Sequence, residues 1–409
     1  MNQTRRRVLF VCRTESSESS RAAQALAGLD NVDVVITDPG RLNHDHGALD
    51  LIVTAQETLL EAVAAANERL GLPGMSVETV RRTLNKSRLK ATLQEAGINT
   101  PRYKPVRDAR ELSFPMVLKS VFGAGALATL VLRNEEDLER AIQLNTDSAD
   151  FVVEEYVEGQ ELCIDTITTD NEPRFYSICC YYPSILEAVE RPETQWRCVM
   201  PRAIDAYESF ITEGLKAIRA LRAGNAMTHM EGFIDAAGRP WFTDATLRPA
   251  GARIAPMLAH AYDIDPYRAW ARVAVDGCFD GPWERKYAVG TIFLRGIGSG
   301  VVEAVTGLDL VQQQFKDLLV DARWPRTGAQ KSLSYTGDGF ITIRHPETDV
   351  VHEALTTIGE MVRITYSSSS PNTAEWRERL YNFAELNRPA WDVSAAFSHK
   401  EARKHKRIL

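Results

Sequence analysis

The fold is decided by one stretch near the middle of the chain, residues 228–251, which reads THMEGFIDAAGRPWFTDATLRPAG. Two segments rich in apolar residues flank the turn AAGR, and this arrangement predicts a β-hairpin. Glu231 and Asp244 fall on its two strands. Because side chains along a strand alternate between the two faces, we expect Asp244, Thr246 and Arg248 to project the same way.

The hairpin therefore predicts a face with a definite chemistry. Two carboxylates and a hydroxyl that converge on one face form a hard oxygen site suited to Mg²⁺. An arginine one step further along can bind the phosphoryl oxygens that Mg²⁺ bridges. The alternative is a solvent-exposed face of an ordinary hairpin. That alternative does not explain why the polar face runs directly into Pro-Ala-Gly and an apolar helix, so we favour a functional site.

Two lysines and a glycine-containing loop precede the hairpin. Lys86 opens a predicted helix over residues 86–96, and Lys119 ends a predicted strand. Lysines that approach a triphosphate from separate elements act as point charges on its oxygens, although each lysine alone is typical of a protein surface. Gly123 and Gly125 join two predicted strands, where backbone N–H groups can cover phosphates. An ordinary hairpin loop is the alternative for these glycines.

A third pattern is the segment 152–161, VVEEYVEGQE, in which an apolar strand ends in acidic residues and turns at Gly159. One interpretation is a hinge whose backbone pairs with a purine edge, with Glu161 accepting hydrogen bonds from ribose hydroxyls. A surface turn with solvated glutamates is the other interpretation, and this segment alone does not separate them. The hinge residues in the first interpretation are Glu154, Glu155, Tyr156 and Val157.

Composition excludes several classes of protein. The chain has 409 residues, which predicts two or three domains, and 44% of them are hydrophobic, which is ample for a core. Its 48 Lys and Arg against 55 Asp and Glu give no electrostatic reason to expect nucleic acid. No apolar run reaches the roughly 18 residues of a membrane helix. The six cysteines lack a C-x-x-C pair, which favours reduced thiols and a cytoplasmic location.

The order of predicted elements indicates the architecture. Strands alternate with helices up to residue 70, which predicts a parallel α/β unit that ends at the GLPG of residues 71–74. An antiparallel sheet and then a further sheet are expected after it. The strands of the first lie at residues 151–156, 162–169, 175–180 and 197–201, and those of the further sheet at residues 289–295, 296–301 and 339–344.

Taken in order, these patterns resemble the ATP-grasp superfamily, and within it the carboxylate–amine ligases, especially the bacterial L-amino acid ligases that make dipeptides. The resemblance implies an α/β and α+β multidomain protein. It comprises an N-terminal Rossmann-like pre-ATP-grasp domain (residues 1–84) and a small, lid-type ATP-grasp subdomain (85–156). The large ATP-grasp subdomain (157–409) carries an extra C-terminal α+β subdomain from about residue 285.

The resemblance also implies a reaction. A substrate carboxylate attacks the γ-phosphate of ATP to give ADP and an acyl phosphate, and an amine then displaces phosphate. The implied metal ligands for Mg²⁺, two ions with Mn²⁺ as a substitute, are Glu231, Asp244 and Thr246. Arg248 is the implied catalytic residue. The implied ATP-binding residues are Lys86, Lys119, Gly123, Gly125, Glu154, Glu155, Tyr156, Val157 and Glu161, and substrate contacts are expected from His229, Gly251 and Arg253.

Several alternatives stay open. The family usually has Glu and Asn where this chain has Asp244 and Thr246, so a non-catalytic nucleotide-binding module is a rival to the ligase. A carboxylase that uses carboxyphosphate is another. Arg253 either meets a substrate carboxylate or is a helix-surface arginine. The expected partners are a small-molecule carboxylate and an amine, with a homodimer as the assembly, and the loops at residues 181–196 and 296–300 are candidates for the substrate pocket.

Overall fold

The computed structural model describes residues 5–13, 17–122, 129–144, 151–191, 194–332 and 334–368. The helices are α1 Ser17–Ala27, α2 Leu60–Leu70, α3 Val77–Leu84, α4 Lys86–Glu95, α5 Glu135–Leu144, α6 Ile185–Glu190, α7 Glu208–Leu221, α8 Ile254–Tyr262, α9 Pro266–Asp276, α10 Leu308–Phe315 and α11 Thr348–Met361. The strands are β1 Arg6–Val11, β2 Val32–Thr37, β3 Leu51–Val53, β4 Tyr103–Pro105, β5 Met116–Ser120, β6 Thr129–Leu132, β7 Phe151–Glu155, β8 Gln160–Thr169, β9 Glu172–Tyr182, β10 Arg197–Met200, β11 Ala226–Ile234, β12 Pro240–Thr246, β13 Ala288–Leu294, β14 Ser299–Thr306, β15 Leu319–Arg323, β16 Gly339–His345 and β17 Arg363–Ser368.

The N-terminal strands form a parallel sheet in the order β2-β1-β3. The central strand β1 is buried along Val8–Val11, as expected for a parallel strand that is covered on both faces. Helix α2 packs against β3, and α1 packs against β2 and against α9. The predicted alternation of strands and helices is therefore confirmed. Helix α3, which follows the GLPG turn, was not predicted.

The second sheet is antiparallel and has the order β4-β7-β5-β6. Its core joins Leu118 of β5, Val153 of β7 and Leu138 of α5. Asn134 caps α5, because its side-chain Oδ1 accepts from the backbone N–H of Asp137 at 3.0 Å. This small sheet presents the end of β5, with Lys119, to the largest sheet of the protein.

The largest sheet has eight strands in the order β12-β11-β8-β9-β10-β13-β16-β15. The expectation of a further sheet for the strands near residues 289–295 and 339–344 is wrong, because β13 pairs with β10 and β16 pairs with β13. The reason is visible in β13, whose seven residues are all buried. A strand that is apolar on both faces is stable inside a sheet and not at its edge. Only β14 and β17 form a separate two-stranded ribbon among the described residues.

The β11–β12 hairpin forms one edge of this large sheet. Glu231 and Asp244 are directly opposed, and the register shifts between Glu231 and Gly232. A Cβ atom on Gly232 would lie 2.1 Å from the carbonyl oxygen of Trp241, so only glycine fits at this bulge.

Among the described residues, none of the helices combines the length and apolar character needed to cross a bilayer.

Candidate active site

A cavity of about 320 Å³ lies where the small sheet, the large sheet and the N-terminal unit meet. Its lining contains most of the residues singled out in the sequence: Lys86, Lys119, Glu154, Glu155, Tyr156, Val157, Glu161, His229, Glu231, Asp244, Thr246, Arg248 and Gly251. Gly123 and Gly125 lie outside the described residues. Phe122 and Thr129, the nearest described residues before and after them, both line the cavity.

The hairpin presents one polar face to this cavity. In the strand register, Glu231 is opposite Asp244 and His229 is opposite Thr246. Opposed residues of an antiparallel pair share a face of the sheet, so all four side chains lie on the same side, as the alternation predicts. The hydroxyl of Thr246 is buried and has no hydrogen-bond partner among the described residues.

Asp244 is held between two lysines. Lys86 Nζ lies 2.8 Å from Asp244 Oδ1, and Lys119 Nζ lies 3.0 Å from Asp244 Oδ2. Burial alone would raise the pKa of the Asp244 carboxyl, but Lys119 and Lys86 outweigh it and hold the pKa well below its usual range. Asp244 is therefore a carboxylate whose charge is already neutralised by the lysines expected to bind phosphate.

A third lysine, Lys90, extends this charge network and was missed in the sequence. Its fully buried Nζ lies 3.3 Å from Glu154 Oε1 and donates to Thr100 Oγ1 at 3.3 Å. The other oxygen of Glu154 lies 3.3 Å from Lys119 Nζ. Both carboxylate oxygens of Glu154 are thus paired with lysines. The spacing of Lys86 and Lys90, four residues apart on one helix, is the signal that could have identified Lys90.

Glu231 has different neighbours. Its Oε1 accepts from Tyr181 Oη at 3.2 Å and lies 3.3 Å from His229 Nε2. The other ring nitrogen of His229, Nδ1, lies 3.0 Å from Asp165 Oδ1, and Cys163 Sγ donates to Asp165 Oδ2 at 3.5 Å. Burial alone would lower the pKa of His229, but Asp165 raises it well above the usual value.

Glu161 and Glu155, both assigned to nucleotide binding, also have protein partners. Glu161 Oε2 accepts from the backbone N–H of Ile185 at 2.6 Å, and burial together with the charge of Glu231 raises the pKa of Glu161 to about 8. Glu155 Oε1 accepts from Arg102 Nε at 2.7 Å. Both carboxylates nevertheless line the cavity.

The two arginines after the hairpin, Arg248 and Arg253, lie in different surroundings. Arg248 lines the cavity and its Nη2 donates to Glu57 Oε2 at 2.8 Å. Arg253 is not among the described lining residues: its guanidinium pairs with Asp321 and lies 4.2 Å over the ring of Phe340. Arg253 precedes α8 with a left-handed φ of 66°, and its side chain is mostly buried against β15 and β16, so it is not a helix-surface arginine. Its contact with a substrate carboxylate stays a prediction.

Three aromatic rings, those of Tyr181, Trp196 and Tyr335, line part of the cavity. Trp196 forms edge contacts with Tyr181 and Tyr335, with ring centroids 5.2 and 4.9 Å apart. Of the candidate pocket segments, the described part of residues 181–196 lines the cavity through Tyr181, Ser184, Ile185, Leu186 and Trp196, whereas residues 296–300 do not. Tyr335 comes from a distant polar loop, and no local pattern in the sequence marks it.

The donor set fits a divalent cation. Glu231 and Asp244 offer carboxylate oxygens from opposed positions. On the same face lies the buried Thr246 hydroxyl, for which the described part of the chain supplies no hydrogen-bond partner. Oxygen ligands of this kind suit Mg²⁺. The described residues also contain a mixed group, Cys163, Asp165 and His229, whose ligand atoms lie within 4.8 Å of one another.

Comparison with known proteins identifies a known domain in part of the chain. Residues 83–221 match the family model of the ATP-grasp domain, and the match ends before the β11–β12 hairpin. The chain is 21% identical over 243 residues to an L-arginine-specific L-amino acid ligase of Bacillus subtilis, covering 56% of this chain and 58% of the relative. It is 23% identical over 255 residues to an alanine–anticapsin ligase of Bacillus subtilis, covering 53% and 52%. The chain thus spans about half the length of these curated relatives.

The fold is also similar to that of a solved structure. The crystal structure of an L-amino acid ligase from Bacillus licheniformis superposes with a TM-score of 0.70 at 19% identity, covering 90% of this chain and all of that one. The chain therefore contains an ATP-grasp domain, and the resemblance drawn from its motifs is confirmed. Its homologues include L-amino acid ligases and an alanine–anticapsin ligase.

Proposed function

We propose that the protein is an ATP-dependent ligase that joins a carboxylate to an amine through an acyl phosphate and releases ADP and phosphate. The observation that carries this proposal is the convergence of two opposed carboxylates, an arginine and two lysines in one cavity. These groups come from the hairpin and the residues after it, from α4 and from β5. Their chemistry suits positioning and charge neutralisation, which are the main demands of phosphoryl transfer.

The lysines exchange partners in this mechanism. Lys86 and Lys119, which pair with Asp244, turn to the phosphate oxygens when ATP binds. Asp244 is then free to act with Glu231 and Thr246 as ligands of the divalent ion. Bound Mg²⁺ would neutralise charge across the β- and γ-phosphates. The metal site is thus completed by the nucleotide, and Lys90 keeps Glu154 neutralised throughout.

Arg248 is the proposed catalytic residue, and Glu57 holds its guanidinium in place at 2.8 Å. A carboxylate oxygen of the substrate forms a bond to the γ-phosphorus, and the bond from that phosphorus to the bridging oxygen breaks, so that ADP leaves. Arg248 stabilises the charge on the transferred phosphoryl group. The amine nitrogen then bonds to the acyl carbon and phosphate departs with one oxygen of the original carboxylate.

The nucleotide base contacts the segment from Glu154 to Val157 in this proposal, and the ribose contacts the carboxyl of Glu161. All five residues line the cavity, which supports this assignment. Gly123 and Gly125 cover the phosphates, and the positions of Phe122 and Thr129 at the cavity support this. His229 and Gly251 line the part of the cavity assigned to the carboxylate and amine substrates.

The domain boundaries are part of the proposal. Each of the first two sheets falls within one proposed domain, residues 1–84 and 85–156, and the eight-stranded sheet lies within residues 157–409. The proposed C-terminal subdomain from about residue 285 shares that large sheet through β13, β15 and β16. A cytoplasmic location is also proposed, because the cysteines lack the C-x-x-C spacing typical of paired thiols or zinc sites.

A matrix of amino acids and small acids, with ATP and Mg²⁺, tests the reaction. We expect ADP release that requires both an acid and an amine, with a coupled amide product in the mass spectrum. Release of AMP and pyrophosphate would contradict an acyl phosphate, and a requirement for bicarbonate would indicate a carboxylase. ATP binding without turnover across the whole matrix would indicate a non-catalytic module.

A further inference from the structure

We propose that Asp165 is a positioning residue that acts through His229 to fix the carboxylate of Glu231. This inference rests on the proposed function, in which Glu231 is a ligand of the divalent ion. Asp165 lies on β8 directly opposite His229 on β11. It is 2% exposed and is not among the described residues that line the cavity, so its influence passes through its neighbours.

The His229 ring bridges two carboxylates. Nδ1 lies 3.0 Å from Asp165 Oδ1, and Nε2 lies 3.3 Å from Glu231 Oε1. A bond to one ring nitrogen sets the orientation of the ring and hence what the other nitrogen presents. Asp165 therefore determines how Nε2 meets Glu231.

Glu231 Oε1 is restrained from two directions. Besides the His229 ring, the hydroxyl of Tyr181 donates to the same oxygen at 3.2 Å. Two contacts on one oxygen restrict rotation of the carboxylate, so the metal meets a ligand that is already ordered. Asp244 is not available to a metal in the same way, because both of its carboxylate oxygens are paired with lysines.

The mixed group of Cys163, Asp165 and His229 allows a rival reading as a site for a soft cation such as Zn²⁺. Cys163 is fully buried, and its Sγ donates to Asp165 Oδ2 at 3.5 Å. Asp165 Oδ1 lies 3.0 Å from His229 Nδ1, so both oxygens of Asp165 have partners within the group. The group is thus a hydrogen-bonded support for His229.

The test measures metal binding directly. Mn²⁺ is titrated into the full-length protein with saturating ADP, and free Mn²⁺ is followed by electron paramagnetic resonance. We expect Asp165→Ala to weaken Mn²⁺ binding about tenfold, within the range known for groups that orient metal ligands. Asp165→Asn, which keeps a hydrogen-bond partner for the ring, should retain an intermediate affinity. Thr166→Ala, a buried truncation at the next position on the opposite face of β8, should bind Mn²⁺ as the wild type does.

A double variant separates positioning from general loss of structure. Asp165→Ala combined with His229→Ala should bind Mn²⁺ no more weakly than His229→Ala alone, because Asp165 acts only through the ring. Wild-type affinity in Asp165→Ala, or losses that multiply in the double variant, would overturn the inference. Wild-type Mn²⁺ affinity in Glu231→Gln would instead remove Glu231 from the metal site, which is a failure of the proposed function.

Discussion

Asp244 and Glu231 are opposed residues of one hairpin, yet their surroundings differ in charge. The lysine side of the cavity comprises Asp244 with Lys86, Lys90, Lys119 and Glu154, and it places two ammonium groups within 3.0 Å of Asp244. The histidine side comprises Glu231 with His229, Asp165 and Tyr181, and it restrains one oxygen of Glu231.

This difference shows that strand alternation sets the position of each carboxylate, whereas the neighbouring residues set its charge environment. Alternation alone brings the two carboxylates to one face of the sheet. The neighbours, which come from other strands and from α4, decide what each carboxylate can do. Asp244 must exchange its lysines before it binds a metal, whereas Glu231 is already ordered. Four substitutions test this comparison, from the largest expected effect to the smallest.

Asp244→Asn should have the largest effect. The amide leaves Lys86 and Lys119 without a counter-charge and removes a proposed metal ligand, so we expect ADP formation to fall about 1,000-fold. Initial rates of ADP release with the best pair of substrates measure it. The matched control is Glu172→Gln, which removes an exposed carboxylate paired with Arg219 at 3.0 Å and should keep wild-type rates. Activity within tenfold of wild type in Asp244→Asn would exclude its role.

Lys90→Met tests whether the lysine side needs its buried counter-charge. Removing Lys90 leaves Glu154, which is 1% exposed, with Lys119 as its remaining lysine, and loss of one partner of a buried pair costs about 3 kcal/mol of unfolding free energy. Urea denaturation measures the change. Lys104→Met, which breaks an exposed pair with Glu111 near the same sheet, should alter stability little. Equal stability of the two variants would show that the buried network is dispensable.

Glu161→Gln tests how burial and the nearby Glu231 carboxylate change the pKa of Glu161. The pKa of Glu161 is about 8 in the folded protein, above its unfolded value, so wild-type stability falls as pH rises toward 8. The variant lacks this titration. We expect the stability of wild type relative to the variant to fall by about 2 kcal/mol between pH 6 and pH 8, because the slope of about 1.4 kcal/mol per pH unit declines as the pH approaches the pKa. A difference that is constant across this pH range would contradict the assignment.

Lys119→Met should change metal binding and ATP binding in opposite directions. Without nucleotide, Asp244 is released from one lysine, so Mn²⁺ should bind about tenfold more tightly than to wild type, a change of about 1.4 kcal/mol. ATP should bind more weakly because a phosphate contact is lost. Calorimetric titration of each ligand measures both, with the exposed Lys216→Met as the control. Weaker metal binding in Lys119→Met would disprove the exchange of partners.

Local patterns in the sequence predicted much of this arrangement. Spacing alone placed Glu231, Asp244 and Thr246 on one hairpin, and the structure brings them to one cavity with Lys119. Arg248 lines the same cavity, although β12 ends at Thr246 and Arg248 is not on the strand as predicted. The early alternation of strands and helices likewise predicted the parallel sheet correctly. These features depend on residues that are close in sequence, where periodicity carries the information.

The remaining features depend on residues far apart in the chain. Arg248 meets Glu57 across 191 positions, and His229 meets Asp165 across 64. No periodicity links such pairs, so the orientation of the arginine and the histidine could not be predicted. The continuation of the large sheet through β13 was missed for the same reason, since its partner β10 precedes it by more than eighty residues.

The central claim is that a substrate carboxylate receives the γ-phosphoryl group in this cavity. The most direct test supplies the acid substrate with both carboxylate oxygens labelled as ¹⁸O and analyses the released phosphate by mass spectrometry. The account predicts ADP as the nucleotide product and one ¹⁸O atom in each phosphate. Unlabelled phosphate, or label recovered in AMP with pyrophosphate released, would contradict it.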